Sequence, residues 1–243
     1  MSTQRISVII PTFNSAPTLE RALHSVFAQS SCALEVIVID GGSTDATLGI
    51  IQQYRTRIAH VVSEKDNGIY DAINKGLNLA SGEWIFILGS DDTLDNADVF
   101  TEMLSTAPPT TRLIYGNVNY IGVKQSLVPL QHVSSFSKKL YWKNTLHQQG
   151  VLYHRDLFAQ FRFNTNYKVL ADYDLHLRLL NEKAASTCVP ITVARCAAQG
   201  LSKRFNWSLY KEELTIKRKR LSLALWLMNI PWVMSKFLLK QLP

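Results

Sequence analysis

Cysteine is scarce in this chain. Cys32, Cys188 and Cys196 are all there are among 243 residues, with no CxxC spacing and no even set to pair. A disulfide framework is excluded, and a reducing compartment with the thiols in the core is expected. A secretory leader is not expected either. Met1 to Arg5 runs directly into an apolar stretch at 6–10 that is too short for a signal peptide and has no cleavage signature, so a cytoplasmic location is expected. No internal repeat or low-complexity segment is visible, which leaves little room for a repeat architecture or extended disorder. Positive charge is not spread over the chain. The net +7 gathers late, in Lys203-Arg204 and Lys217-Arg218-Lys219-Arg220, a distribution that favours an anionic surface as partner and argues against nucleic acid. No apolar run is unbroken for a bilayer's width. The stretch 221–239 is nearly long enough, but Asn229, Pro231 and Lys236 interrupt it, so an in-plane or re-entrant anchor is expected over a true span.

What is present is a hydrophobic content of 47%, enough for one large domain or one domain with an appendage. Strand-length apolar runs at 6–10, 34–39, 58–62 and 84–88 alternate with helical patterns. That alternation reads as βαβ units around a largely parallel sheet. Leu19, Ala22, Leu23, Val26 and Phe27 hold helical spacing, with Asn14 or Ser15 as cap and Pro17 in the first turn. Gly41 to Asp45 reads as a turn and cap for a short helix ending at Tyr54. A further helix is expected at 70–80, closed by Ser81-Gly82, and another at 93–104. Beyond residue 100 the alternation weakens into a smaller mixed region, with strands at 113–120, 150–153 and 187–196 and a helix at 172–180. Pro108-Pro109 is the expected seam between halves.

In an open α/β sheet, ligands sit outside the carboxyl ends of the strands. Four segments end there: Pro11-Thr12-Phe13-Asn14, Asp40-Gly41-Gly42-Ser43, Ser63 to Gly68 and Gly89-Ser90-Asp91-Asp92. Adjacent carboxylates repel unless a cation or solvent divides their charge, and oxygen ligands of this kind suit Mg²⁺ or Mn²⁺ bridging a diphosphate. Taken alone, Asp91-Asp92 reads equally as a solvated turn before a helix, and Asp40 as a turn residue.

Taken together, these segments resemble the inverting family 2 glycosyltransferases, which have the GT-A fold and use nucleotide-diphospho-sugars. The likeness runs through Ser7 to Asn14, Glu35 to Thr47, Ser63 to Gly76 and Gly82 to Asp92. It continues more weakly through His147-Gln148-Gln149-Gly150 and Ala171-Asp172-Tyr173-Asp174-Leu175. The resemblance implies a GT-A domain at 1–205, with a nucleotide-sugar half at 1–107 and an acceptor and catalytic-base half at 108–205, followed by a basic amphipathic segment at 206–243. It places Pro11, Thr12, Phe13 and Asn14 along the nucleotide, Asp40 as acceptor from the base, Asp66 near base or ribose, and Asn74 and Lys75 near ribose and diphosphate. Asp91 falls to the ribose or sugar and Asp92 to a Mn²⁺ or Mg²⁺ ion, in the manner of a DxD motif. His147 lies at a donor or acceptor position, although a lone histidine before an apolar strand is more often structural. Lys203 and Arg204 lie in a loop that closes over the diphosphate or forms a solvated basic face.

The resemblance also implies a general base for an inverting transfer, placed in an acidic pair opening a helix of the second half. Asp172 is that base, with Asp174 as second choice, because Ala171 stands where an acidic residue is frequent. Residues two apart on a helix point to roughly opposite faces, so only one of the pair can face the pocket. No Gln-x-x-Arg-Trp motif of the processive members is present, which favours addition of a single sugar. A UDP-sugar donor is the leading expectation, with a glycan or lipid-linked glycan as acceptor in polysaccharide or lipopolysaccharide assembly. Basic residues beside apolar ones, with Trp226 and Trp232, fit a peripheral seat on the inner face of the plasma membrane, while a helix packed on the domain or on a second copy is the alternative. Two rival classes differ on particular residues. A nucleotidylyltransferase would carry a glycine-rich basic loop where Pro11-Thr12-Phe13-Asn14 stands, and a non-catalytic sugar-nucleotide binder would not need both Asp92 and Asp172.

Overall fold

The computed structural model describes residues 5–30, 33–122, 129–198 and 206–241. Strands β1 (Arg5–Thr12), β2 (Ala33–Asp40), β3 (His60–Ser63) and β4 (Trp84–Ile87) alternate with helices α1 (Leu19–Phe27), α2 (Thr47–Gln53) and α3 (Ile69–Leu79). After β4 come β5 (Thr93–Leu94), α4 (Val99–Ser105), β6 (Leu113–Ile121), β7 (Gln131–His132), β8 (Val151–His154) and α5 (Leu157–Gln160). The chain continues through α6 (Ala171–Asn181), β9 (Ser186–Ala197), α7 (Trp207–Arg220) and α8 (Leu223–Gln241). The strands join one sheet in the order β3-β2-β1-β4-β8-β6-β9-β5, with β7 on β6. β1 pairs in parallel with β2 and β4, and β2 with β3. Such strands are covered on both faces, which is why β1, β2 and β4 read as continuous apolar runs and are buried almost throughout. One apolar cluster lies on each side of the sheet's first half. α3 sits so close on β1 that a Cβ on Gly76 would stand 2.5 Å from Ile9 Cγ2.

β8 pairs antiparallel with both β4 and β6, so the two halves share one continuous sheet and Pro108-Pro109 lies in an exposed turn rather than at a seam. The helix expected at 93–104 starts six residues late. Thr93 and Leu94 pair with Arg195 and Ala194 as β5, and the Asn96 side chain accepts from Asp98 N–H at 2.7 Å, a local turn that competes with helix. The cap expected for α1 from Asn14 or Ser15 side chains also differs. The Ser15 carbonyl takes the Thr18 and Leu19 N–H groups at 3.0 and 2.9 Å, while both side chains tie loops together.

The expected boundary at 205 is crossed by bonds. From α7, Arg220 pairs with Asp174 of α6, and Lys217 donates to the Trp142 carbonyl at 2.8 Å and to Asn229 Oδ1 of α8 at 2.8 Å. Glu213 joins Lys217 and Lys236 at 2.7 and 2.6 Å, and Trp232 donates to the same Trp142 carbonyl at 3.0 Å. The other face of α8 carries exposed Leu223, Leu227, Met228, Trp232, Leu238 and Leu239. Among the described residues no helix is long and apolar enough to cross a membrane.

Candidate active site

The carboxyl edges of β1, β2 and β3 bring three loops together. Asn14, at φ 46°, donates its N–H to Ser43 Oγ at 2.8 Å and accepts from Thr44 N–H at 2.9 Å, which locks the first loop to the second. Pro11 and Thr12 lie inside β1, and Thr12 Oγ1 donates back to the Ile10 carbonyl at 3.3 Å. Phe13 is 61% exposed. A Cβ on Gly41 would stand 3.0 Å from Asp66 Oδ2 and 3.5 Å from Phe13 Cδ2, so an aromatic ring and a carboxylate flank a bare backbone floor. Asp40 is fully buried. Its oxygens accept from Gly42 N–H at 3.2 Å, Ser43 N–H at 3.1 Å, Ser43 Oγ and Ser63 Oγ at 2.6 Å, which fills the acceptor sites of a carboxylate. These bonds set the shape of the loop at the end of β2.

Lys75 sits among three carboxylates, Asp66 at 2.5 Å, Glu64 at 2.8 Å and Asp71 at 3.5 Å. Hydrogen bonds to Asp66 and then Glu64 hold its ammonium well above the usual lysine range. The Asn74 amide donates to the Phe163 carbonyl at 2.8 Å and accepts from Phe163 N–H at 3.1 Å. That clamp ties α3 to the segment leading into α6.

At the end of β4 the chain turns through an Asp92 N–H to Gly89 carbonyl bond of 3.1 Å. A Cβ on Gly89 would lie 2.5 Å from Asp92 Oδ2 and 3.0 Å from Asp91 Oδ1, so both carboxylates fold over the glycine. Asp91 is exposed and its carbonyl accepts from Arg21, whereas Asp92 is buried and accepts from Ala197 N–H at 2.9 Å. Burial, and then the charge of Asp91, push the Asp92 carboxyl up to about 7. Two crowded carboxylates, one of them desolvated, are the donor set a divalent cation relieves. Among the described residues no group of three or more potential ligand side chains forms, so substrate oxygens and water would complete such a shell, as is usual for Mg²⁺.

α6 separates the two acidic candidates for the base. Asp174 is fully buried against Arg220, with bonds of 2.6 and 3.2 Å, and against Arg178 at 3.1 Å. Asp172 points the other way, partly exposed. It accepts from the Tyr70 hydroxyl at 3.3 Å and from the Asn144 amide at 3.4 Å. Desolvation, against opposing hydrogen bonds from Tyr173 N–H, Asn144 and Tyr70, raises its carboxyl to about 6. Tyr120, on β6, is buried, and that burial first of all holds its hydroxyl above the usual tyrosine range.

His147 packs edge-on against Tyr120 and His132, each with ring centroids 5.6 Å apart. Lys203 and Arg204 lie outside the described residues. Tyr70 and Asn144 went unassigned in the sequence reading. Tyr70 falls within the Ser63 to Gly76 string, whereas nothing local marks Asn144.

Residues 7–175 match the family described as Glycosyl transferase family 2. The chain belongs to that family. It is 32% identical over 194 residues to a PGL/p-HBAD biosynthesis glycosyltransferase, Rv2957 of Mycobacterium tuberculosis, covering 77% of this chain and 74% of that protein. A mannosyltransferase from Pyrobaculum calidifontis, solved with GDP-Man and Mn2+, superposes with a TM-score of 0.71 at 20% identity, over 99% of this chain and 74% of that one. S. aureus TarS 1-349 in complex with UDP-GlcNAc gives 0.70 at 20% identity, over 96% and 71%. The expected GT-A fold is thereby shown, and the nucleotidylyltransferase reading falls away.

Proposed function

We propose that this glycosyltransferase moves one sugar from a nucleotide-diphospho-sugar, a UDP-sugar foremost, to an acceptor hydroxyl with inversion, using Asp172 as general base and Mn²⁺ or Mg²⁺ at Asp91-Asp92. The observation that carries the reading is the arrangement on α6, where the partly exposed Asp172 accepts from Tyr70 of α3 at 3.3 Å and from Asn144 at 3.4 Å while Asp174 is closed off by Arg220 and Arg178.

Phe13 offers its ring to a nucleobase over the Gly41 floor, and Asp66 stands at the rim of the same floor. Lys75, held by its three carboxylates, sets the position of Asp66. When bound, the cation offsets charge building on the departing nucleoside diphosphate. Asp172 takes the proton from the acceptor hydroxyl as that oxygen bonds to the anomeric carbon, and the bond from that carbon to the diphosphate oxygen breaks on the opposite face, which inverts the centre. A carboxyl raised to about 6 suits this role, being ionised at neutral pH yet basic enough to accept a proton. Asp174, occupied by two guanidinium groups, serves structure. The acceptor is a glycan or lipid-linked glycan, and the exposed apolar face of α8 seats the enzyme peripherally on the cytoplasmic side of a membrane.

The deciding experiment is a calorimetric screen of UDP- and GDP-sugars with and without Mn²⁺, followed by product mass. Binding by the native chain is expected to require Mn²⁺, Asp92→Ala should weaken it at least tenfold, and the product should carry one added sugar. An affinity indifferent to both Mn²⁺ and Asp92→Ala would remove the metal role.

A further inference from the structure

The loop that delivers Asp172 is held by a carboxylate from outside the region of family likeness. Glu212, on α7, accepts from three successive backbone N–H groups: Lys168 at 2.9 Å, Val169 at 2.9 Å and Leu170 at 2.6 Å. These are the last amides before α6 begins at Ala171, and the first turn of a helix has no intrahelical acceptors for such donors. One residue in this segment, Val169, also gives its carbonyl to the Tyr70 hydroxyl at 2.7 Å, and the same hydroxyl reaches Asp172 at 3.3 Å. Glu212, the 168–170 amides, Tyr70 and Asp172 thus form one connected chain of bonds.

We infer that Glu212 is a positioning residue for Asp172, acting through the 168–170 backbone and Tyr70; this rests on Asp172 being the base. Three charge-assisted bonds to one short segment are stronger and more directional than neutral ones, and they fix the entry of the chain into α6. Tyr70 is itself locked from two further sides. Its ring stacks on Phe163 with centroids 5.6 Å apart, and Asn74 clamps the Phe163 backbone. Without Glu212 the 168–170 amides lose their acceptor and turn to water, the segment loosens, and Asp172 gains solvent. α7 itself is well placed to hold Glu212 still. Arg220 binds the buried Asp174 on the same helix α6, and Lys217 is pinned between α8 and the Trp142 carbonyl.

The side chains that bond Asp172 are Tyr70 from α3 and Asn144, and the buried Tyr120 of β6 and Tyr153 of β8 feel its charge. Desolvation is the main cause that raises the Asp172 carboxyl, so the gain of solvent on loss of Glu212 pushes it downward.

The test follows the Asp172 carboxyl by carbon NMR through a pH titration of the full chain, assigned with Asp172→Asn. In Glu212→Gln the midpoint is expected to fall by about one pH unit from its native position near 6. Transfer with the donor identified above should drop about tenfold in kcat at unchanged donor KM, the split expected of a misplaced base. Glu212→Asp, one methylene short, should give a smaller shift in the same direction, and it serves if the Gln form does not fold. A lower Tm with an unmoved midpoint would make Glu212 merely structural and overturn the inference. The base reading fails separately, if Asp172→Asn retains full transfer, because the titration is read without any reaction.

Discussion

At the scale of single residues, the two acidic candidates on α6 show how environment assigns chemistry. Asp172 and Asp174 are two positions apart on one helix, yet one meets two guanidinium groups in a closed interior and the other a phenol and an amide at an opening. Asp172→Asn should therefore cut transfer by about 10² to 10⁴ fold, with UDP affinity unchanged by calorimetry. The pH profile follows from the raised carboxyl. The working form is the carboxylate, so activity is present above about 6 and falls as pH drops through that value, roughly tenfold per unit below it. A carboxyl raised on folding also weakens the folded state above its own midpoint, and that penalty fades as pH falls. Asp172→Asn is accordingly expected to melt no lower than the native chain at pH 7.5. A flat rate between pH 5 and 8 would place the base elsewhere.

At the scale of elements, α8 has two faces with opposite fates. Asn229 and Val233 are buried toward α7 and the Trp142 region, while Leu223, Leu227, Met228, Trp232, Leu238 and Leu239 stay in solvent. A row of exposed apolar side chains beside exposed Arg218 and Lys219 is the pattern of a helix lying in a membrane interface. Leu227→Glu combined with Leu238→Glu should abolish co-sedimentation with vesicles of one-third anionic lipid while leaving Tm within about 1 °C, since exposed substitutions rarely move stability by more than about 0.5 kcal/mol. A native chain that stays in the supernatant would argue against the membrane seat.

At the scale of the whole molecule, the C-terminal helices pack into the same folded unit as α6. Arg220→Ala leaves Asp174 buried with Arg178 as its remaining partner. Breaking a buried pair costs about 3–5 kcal/mol when no partner survives. With Arg178 in place, about 2 kcal/mol is expected, which for a chain of this size lowers Tm by roughly 4–8 °C in a calorimetric melt. Truncation at 205 would remove Arg220 and Glu212 together, and loss of folded protein is expected to accompany it.

The sequence by itself determined the buried parallel strands, because strands covered on both faces must be apolar along their whole length. It also determined the four loops at their carboxyl ends, because turns there carry Gly, Asp and Asn in recognisable strings. Which of those side chains face a ligand was decided by the tertiary structure. Asp40 and Asn74 belong to the right strings, and while Ser43 binds Asp40 from three residues on, Ser63 and the Phe163 backbone reach them from 23 and 89 residues away, a separation that leaves no mark on local pattern. The opposite surroundings of Asp172 and Asp174 and the bonds from Glu212 to the 168–170 backbone arise from packing between distant segments. Burial and charge there depend on which elements meet, and only the folded chain brings them together.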